Sequence, residues 1–146
     1  MSDSKDSSLN KIVLHGRKVV GGVAEGEALV TSQTISGWGG IDPKQGTIIE
    51  RQHELKGLRF TDKVLVFPGA KGGSGGSMGF HRARLAGHVP KAMIFKDMTS
   101  RMAMIAIITH APAVTDLDQD PLDIIESGDW VKVDGDHGIV EITKRG

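Results

Sequence analysis

The serines of one glycine-rich stretch are the residues best suited to do chemistry. Residues 71–77 read Lys-Gly-Gly-Ser-Gly-Gly-Ser and closely follow the apolar run 63–67. A strand that enters a glycine-rich turn and then a helix can form an anion site, because backbone N–H groups and the helix N-terminus point at the ligand. Ser74 and Ser77 add hydroxyl groups there, and Lys71 adds a positive charge. The alternative interpretation is a flexible loop in which Ser77 only caps the helix.

Established motifs fit this stretch only in part. A phosphate-binding loop ends in Gly-Lys-Ser or Gly-Lys-Thr, whereas Lys71 precedes the glycines, and no G-x-G-x-x-G occurs. The nucleophile pattern G-x-S-x-G occurs twice, around Ser74 and around Ser77. Acid and histidine candidates follow in the order that a hydrolase triad requires: Asp116, Asp118 and His137. A stand-alone serine hydrolase is therefore an alternative, although 146 residues are few for that fold.

The composition argues against a metal centre held by this chain alone. The sequence contains no cysteine, which excludes a disulfide, a cysteine-bound iron–sulfur cluster and a thiolate zinc site. The six histidines are scattered without ligand spacing, so we expect each to be a surface or hydrogen-bonded residue. The acidic stretch 116–123 lacks the central glycine of a calcium loop and is interpreted as a solvated loop. The methionines at 93, 98, 102 and 104 are interpreted as core residues.

The elements that would position these residues alternate between strand and helix, which predicts an α/β domain with a small βαβ core flanked by antiparallel strands. Residues 1–10 are expected to be a disordered tail, and 11–146 a single domain. The predicted strands are 11–15, 27–31, 47–50, 63–67, 92–95 and 112–115, with a terminal hairpin of 130–133 and 138–142. The predicted helices are 78–86, with Phe80, Ala83, Leu85 and Ala86 facing inward, and one from Thr99 or Ser100 through Ala106.

Charge and hydropathy exclude several classes of function. Lys plus Arg and Asp plus Glu both number 18, which gives no electrostatic argument for binding nucleic acid or an anionic membrane. The longest apolar run, 102–108, is too short to cross a bilayer. The first ten residues have no apolar segment of a signal peptide. We therefore expect a cytoplasmic domain that binds neither nucleic acid nor membrane.

Three segments in this order resemble the aconitase X small-subunit family. They are Val-Ala-Glu-Gly-Glu-Ala-Leu-Val at 23–30, Ile-Ser-Gly-Trp-Gly-Gly-Ile-Asp-Pro at 35–43, and Val-Leu-Val-Phe-Pro at 64–68, which leads into the glycine–serine loop. Lys-Ala-Met-Ile at 91–94 and the ending at 128–135 also fit. The resemblance extends from Lys11 over nearly the whole chain.

The resemblance implies a swivelling β/β/α domain that closes over a larger subunit, in which an iron or iron–sulfur centre is expected. This chain would bind no cofactor by itself and would be active only with that partner. Family members dehydrate 5-phosphomevalonate or cis-3-hydroxy-L-proline by removing a proton next to a carboxylate while the metal takes the hydroxyl. The family's base is a serine in a Gly-Arg-Gly-Ser motif of the small domain.

Here the chain departs from the family pattern. Residues 70–74 read Ala-Lys-Gly-Gly-Ser, so Lys71 replaces the arginine and Gly73 falls at the catalytic serine. Either Ser74, one position later, acts as the base, or this member uses another base or substrate, or it is a non-catalytic binding or regulatory module. The catalytic candidates are Ser74 and Ser77. The expected substrate-binding residues are Lys71, Gly72, Gly73, Gly75, Gly76, Ser36, Trp38, Gly39 and Gly40.

Overall fold

A computed structural model describes residues 11–36, 39–71, 76–96 and 100–145. The described strands are β1 Lys11–His15, β2 Arg17–Val20, β3 Val23–Val30, β4 Ile35–Ser36, β5 Ile41–Asp42, β6 Thr47–Ile48, β7 Val64–Phe67, β8 Ala70–Lys71, β9 Ala92–Phe95, β10 Ala113–Thr115, β11 Trp130–Asp134 and β12 Ile139–Thr143. The described helices are α1 Gly76–Leu85, α2 Ser100–Thr109 and α3 Pro121–Ile124. The predicted tail, 1–10, lies outside the described residues.

The main sheet has the strand order β1-β12-β11-β3-β7-β9-β10-β2. Its centre is parallel: β3 pairs with β7, β7 with β9, and β9 with β10. Antiparallel strands flank this centre, with β11, β12 and β1 on one side and β2 on the other. The prediction of a βαβ core flanked by antiparallel strands is confirmed.

The two edge strands of this sheet, β1 and β2, are consecutive in the chain, and Gly16 is the single residue between them. The Gly16 N–H donates to the Gly138 carbonyl oxygen at 2.7 Å. A Cβ atom at Gly16 would lie 2.5 Å from the carbonyl oxygen of Thr115, too close for any side chain. Glycine at this corner therefore lets the chain pass from one edge of the curled sheet to the other.

Successive side chains of the central strands point to opposite faces of the sheet and pack into two separate apolar layers. Val64 and Val66 of β7 join a cluster inside the curled sheet, to which the antiparallel strands contribute Val131. Leu65 and Phe67 of the same strand join a second cluster with the residues of α1 and α2. Because both faces of β7 are covered, its sequence is apolar throughout. The result is the β/β/α arrangement that the resemblance implied.

The helical layer differs from the prediction on its outer side. Phe80 and Ala83 are buried against the sheet, and the rings of Phe80 and Phe60 lie 6.1 Å apart. Leu85, however, is 72% exposed, and Ala86 is exposed as well. Five residues along a helix with 3.6 residues per turn place Leu85 about 140° around the axis from Phe80, so it faces solvent. The prediction that Leu85 and Ala86 point inward is wrong.

Several predicted boundaries also change. β3 begins at Val23 rather than Glu27, and it includes Gly26, which pairs with Val131. The glycine-rich segment 35–43 contains two short strands, and the acidic loop contains α3, whose N-cap is the Asp120 side chain.

Met93 and Met102 are core residues as predicted, but Met104 is 54% exposed. Residue 98 lies outside the described residues. No helix in the described ranges is long and apolar enough to cross a membrane.

Candidate active site

Two glycine-rich segments begin side by side because β4 and β8 form a parallel pair. Ile35 is the partner of Ala70, and Ser36 is the partner of Lys71. In a parallel pair both chains leave the ladder at the same end. The chain continues into residues 37–40 after Ser36 and into residues 72–75 after Lys71. The pairing therefore joins the two segments that the sequence analysis had selected separately.

This pair lies beyond the carboxyl end of the central parallel strands. After β7 ends at Phe67, the Gly69 carbonyl accepts a hydrogen bond from the Ile35 N–H at 3.2 Å, which attaches β4 to the end of the sheet. The Lys96 N–H, directly after β9, reaches the Phe67 carbonyl at 3.3 Å. In parallel α/β sheets, ligands bind outside the carboxyl ends of the strands. The pair therefore lies where such sheets place their binding sites, which makes it a candidate site.

Glu50 holds the first glycine segment in place. Its carboxylate accepts a hydrogen bond from the Ser36 N–H at 2.8 Å. The backbone N–H groups of Ile49 and Glu50 both donate to the Gly40 carbonyl, at 2.9 and 3.1 Å. A Cβ atom at Gly40 would overlap the Ser36 carbonyl oxygen and lie 2.9 Å from Glu50 Oε1. Gly40 is therefore required for a closed turn between Ser36 and residues 49–50.

Gly39 has a different role, since a Cβ atom there would meet nothing within 4 Å. Its φ of +83° is instead a left-handed conformation that glycine adopts without strain. Ser36 is half-buried, and Gly39 is exposed. Trp38, between them in the same segment, lies outside the described residues.

The second glycine segment leads into α1, as predicted. Lys71 ends β8, and the helix begins at Gly76, with no acidic residue in its first turn. Gly72, Gly73, Ser74 and Gly75 lie outside the described residues. Ser77 is the second residue of the helix, so the interpretation of Ser77 as the N-cap is wrong. The helix begins two residues earlier than the predicted start at Met78.

A polar cluster beside Ser36 was not found by sequence reasoning. The Glu54 carboxylate accepts hydrogen bonds from the Thr31 hydroxyl and, at 3.1 Å, from the Ser32 N–H. His53 is buried: its Nδ1 accepts from the Leu55 N–H at 3.0 Å, and its Nε2 has no hydrogen-bond partner. A cavity of about 400 Å³ lies here, lined by Gln33, Thr34, Glu50, Arg51, Gln52 and His53. In the sequence, this polar cluster is indicated only by the two glutamates of Glu-Arg-Gln-His-Glu at 50–54.

An ion pair between Lys96 and Asp120, which the sequence did not indicate, also lies at this edge of the sheet. The Lys96 ammonium lies 3.0 Å from Asp120 Oδ2. The hydrogen bond from Lys96, together with one from the Leu122 N–H, lowers the pKa of Asp120. The Asp120 carboxylate is thus charged at neutral pH, next to the carboxyl end of β9.

The triad candidates of the hydrolase alternative each have another partner. Asp116 pairs with Arg17 at 2.7 Å. Asp118 accepts a hydrogen bond from the His15 N–H at 3.1 Å. His137 Nδ1 lies 2.9 Å from Asp134, in the turn of the terminal hairpin, and this contact is the main cause of the lowered pKa of Asp134. These contacts are one exposed ion pair and two exposed hydrogen bonds, and they give the hydrolase interpretation no support.

Comparison with known proteins decides the family. The family model of the aconitase X swivel domain matches residues 13–142. The chain belongs to the aconitase X swivel-domain family. The resemblance predicted from the glycine-rich segments is thereby confirmed, and so is the swivel-domain fold.

Relatives and a solved structure agree with this membership over nearly the full length of the chain. The phosphomevalonate dehydratase small subunit of Methanocella arvoryzae is 42% identical over 89% of this chain and 98% of its own length. That of Pyrococcus furiosus is 39% identical over 91% of this chain and 97% of its own. A crystal structure of Thermococcus kodakaraensis aconitase X in its holo form has a TM-score of 0.85 and 36% identity, and the match covers 91% of this chain and 99% of that one. The prediction of a hydro-lyase subunit is confirmed.

Proposed function

We propose that this chain is the small subunit of a phosphomevalonate dehydratase and works only with a larger subunit. The observation that carries the proposal is the similarity to proteins of that name over 97–98% of their own lengths. These names favour 5-phosphomevalonate over cis-3-hydroxy-L-proline as the substrate. The match to an aconitase X structure at a TM-score of 0.85 supports the same role.

In this proposal the chain supplies the proton acceptor. Dehydration removes a proton from the carbon next to the carboxylate and a hydroxyl from the neighbouring carbon, which leaves a double bond and water. Ser74 takes the proton. A serine oxygen is too weak a base at neutral pH unless its alkoxide is stabilised, and backbone N–H groups of the glycine loop with the positive charge of Lys71 would provide that stabilisation. The pairing of Ser36 with Lys71 supports a site between the two segments.

We place the iron or iron–sulfur centre in the larger subunit, where it would supply a Lewis acid. This chain offers no fitting ligand set. It has no cysteine, and the described residues contain no group of three or more His, Asp or Glu side chains able to hold a metal ion. The small subunit therefore contributes substrate contacts and proton transfer, and it closes over the centre.

The alternative of a non-catalytic module rests on one observation, the glycine at the family's serine position. Assaying the full chain alone, and again after co-expression with a larger subunit of the aconitase X family, distinguishes the catalytic subunit from the non-catalytic module. We expect water loss from 5-phosphomevalonate by the assembled enzyme and none by the small chain alone. A complex that forms but dehydrates neither 5-phosphomevalonate nor cis-3-hydroxy-L-proline would support the non-catalytic module. Turnover by the isolated chain would contradict the two-subunit proposal.

A further inference from the structure

A basic cavity lies at the end of α1 that is remote from the glycine loop. It has a volume of about 310 Å³ and is lined by Lys44, Gln45, Thr47, Arg59 and His88. None of these lining residues is acidic; the nearby Asp42 carboxylate accepts a hydrogen bond from the Lys44 backbone N–H at 3.0 Å. His88 follows the C-terminus of α1, whereas the glycine loop precedes its N-terminus, so the ten-residue helix separates the cavity from the candidate active site. Ten helical residues span about 15 Å.

The positive charges of this cavity are not neutralised within the described part of the chain. The ion pairs there involve other basic side chains, and none includes Lys44 or Arg59. Two cations that face one cavity without a counter-ion repel each other, and a bound anion removes that repulsion. The cavity therefore favours an anionic ligand.

The walls of the cavity are fixed by backbone hydrogen bonds. The turn 42–46 is closed by the Gly46 N–H, which donates to the Asp42 carbonyl at 2.8 Å. The Gly46 carbonyl accepts from the Phe60 N–H at 2.9 Å, which ties this turn to the segment of Arg59. A Cβ atom at Gly46 would lie 2.9 Å from His88 Cβ, so the turn packs tightly against the end of the helix. The basic side chains thus project from a preorganised frame.

His88 is oriented by a neighbouring hydroxyl. Its Nδ1 lies 3.3 Å from Thr61 Oγ1. That contact leaves Nε2 as the ring nitrogen available to a ligand. An arginine, a lysine and a histidine around one cavity offer several N–H donors in different directions, which suits the tetrahedral oxygens of a phosphate better than the two oxygens of a carboxylate.

A second cavity adjoins the first and is largely apolar. It measures about 620 Å³ and shares Lys44 with the basic cavity. Its apolar lining comes from Pro43, Leu85 and Ala86, and its other lining residues are Asp42 and Arg82. Leu85 is the most exposed of the large apolar side chains in the described residues, at 72%. We propose that the two cavities form one site for a small phosphate ester, with the phosphate on Lys44, Arg59 and His88 and a short apolar group against Leu85. The site is independent of the proposed dehydratase function.

The test follows the amide signals of Gly46, Thr47 and His88 in the NMR spectrum of the full ¹⁵N-labelled chain. Inorganic phosphate and butyl phosphate are titrated separately at constant ionic strength, with acetate as the carboxylate comparison. We expect saturable shifts with both phosphates, tighter binding of butyl phosphate by about tenfold from its apolar group, and weaker binding of acetate. Shifts that do not saturate, or that are confined to the glycine loop 69–77, would overturn the proposal.

Single-residue variants test which side chains bind the phosphate and which contact the apolar group. Arg59→Ala and Lys44→Ala should each weaken phosphate binding by about tenfold or more, the usual scale for one charge-assisted contact. Lys56→Ala removes an exposed charge from the same region outside the cavity and should leave binding unchanged. Leu85→Ala should leave inorganic phosphate binding unchanged and abolish the advantage of butyl phosphate. Melting curves confirm folding, with Arg59→Gln as the substitute if the alanine variant unfolds. Equal weakening by Lys56→Ala, or no weakening by the arginine variant, would refute the site.

Discussion

Ser36 and Lys71 face each other as partners in two short parallel strands, β4 and β8. Each is the last strand residue before a glycine-rich segment, and the two segments therefore start from the same edge of the fold. Glu50 fixes the Ser36 side of this pair through its hydrogen bond to the Ser36 N–H.

Replacing Glu50 should damage the site more than replacing its exposed neighbour Arg51. Glu50→Ala removes the acceptor of the Ser36 N–H, and we expect a loss of about 1–3 kcal/mol of stability together with lower turnover of the assembled enzyme. Glu50→Gln keeps an acceptor oxygen and should lose less of both. Arg51→Ala serves as the control, because Arg51 is exposed in the same turn. Melting curves and initial rates measure the effect; equal values for the alanine variants at 50 and 51 would contradict it.

Gly40→Ala and Gly39→Ala should differ in severity. The first places a methyl group against the Ser36 carbonyl and Glu50, so the turn must open, at a cost of about 1–3 kcal/mol. The second meets no atom within 4 Å and suffers only the strain of its left-handed φ, about 1 kcal/mol. Denaturant unfolding of the two variants compares these costs. A larger loss in the Gly39 variant would show that the turn is not closed as described.

Ser74→Ala should lower turnover of the assembled enzyme by at least about a hundredfold, the usual scale for losing a proton-transfer group. Its stability should stay near that of the parent chain. Ser77→Ala is the comparison variant for stability: inside the first turn of α1 rather than at its cap, alanine should change the unfolding free energy by only a few tenths of a kcal/mol. Near-normal turnover of Ser74→Ala would exclude Ser74 as the base and direct attention to Ser77 or to the larger subunit.

Trp38 should report the binding of the larger subunit. It lies in a segment with few apolar neighbours in sequence, and exposed aromatic side chains are enriched at interfaces. The second tryptophan, Trp130, donates to Glu25 at 2.7 Å and packs under Arg145, so its signal is separate. In a Trp130→Phe variant we expect the remaining fluorescence to shift on complex formation. An unchanged spectrum in a complex shown to have formed would contradict the placement of Trp38 at the subunit interface.

The stabilising effect of Asp129 should depend on pH. Burial acts to raise the pKa of Asp129, but hydrogen bonds from Lys144 and from the N–H groups of Glu126 and Arg145 outweigh it and hold the pKa below its ordinary value. A carboxyl whose pKa is lowered on folding contributes stability above its unfolded pKa of about 4, and this contribution is lost as the pH falls through the folded-state value.

Asp129→Asn is the matching variant, since it keeps the shape and removes the charge next to Lys144, 2.7 Å away. We expect it to cost about 2–3 kcal/mol at neutral pH. The difference in Tm between variant and parent should shrink as the pH is lowered below about 4. A difference that stays constant between neutral and acidic pH would refute the charged role of Asp129.

The sequence alone determined the elements whose signals are local. The runs 64–67 and 92–95 are apolar at every position because both faces of a central parallel strand are covered, and this pattern is visible without the fold. The terminal hairpin is marked by its Asp-Gly turn. The family was recognisable for a similar reason, because the glycine segments occur in fixed order and spacing along the chain.

Only the tertiary structure decided which distant segments meet. Nothing local in Ile35–Ser36 or Ala70–Lys71 predicts a strand, because a two-residue ladder is fixed by its partner and by the surrounding core rather than by periodicity. The same holds for the curling of the sheet at Gly16, and for Glu50, whose importance comes from a hydrogen bond across fourteen residues. Such contacts depend on how packed layers bring segments together, and that information is spread over the whole chain.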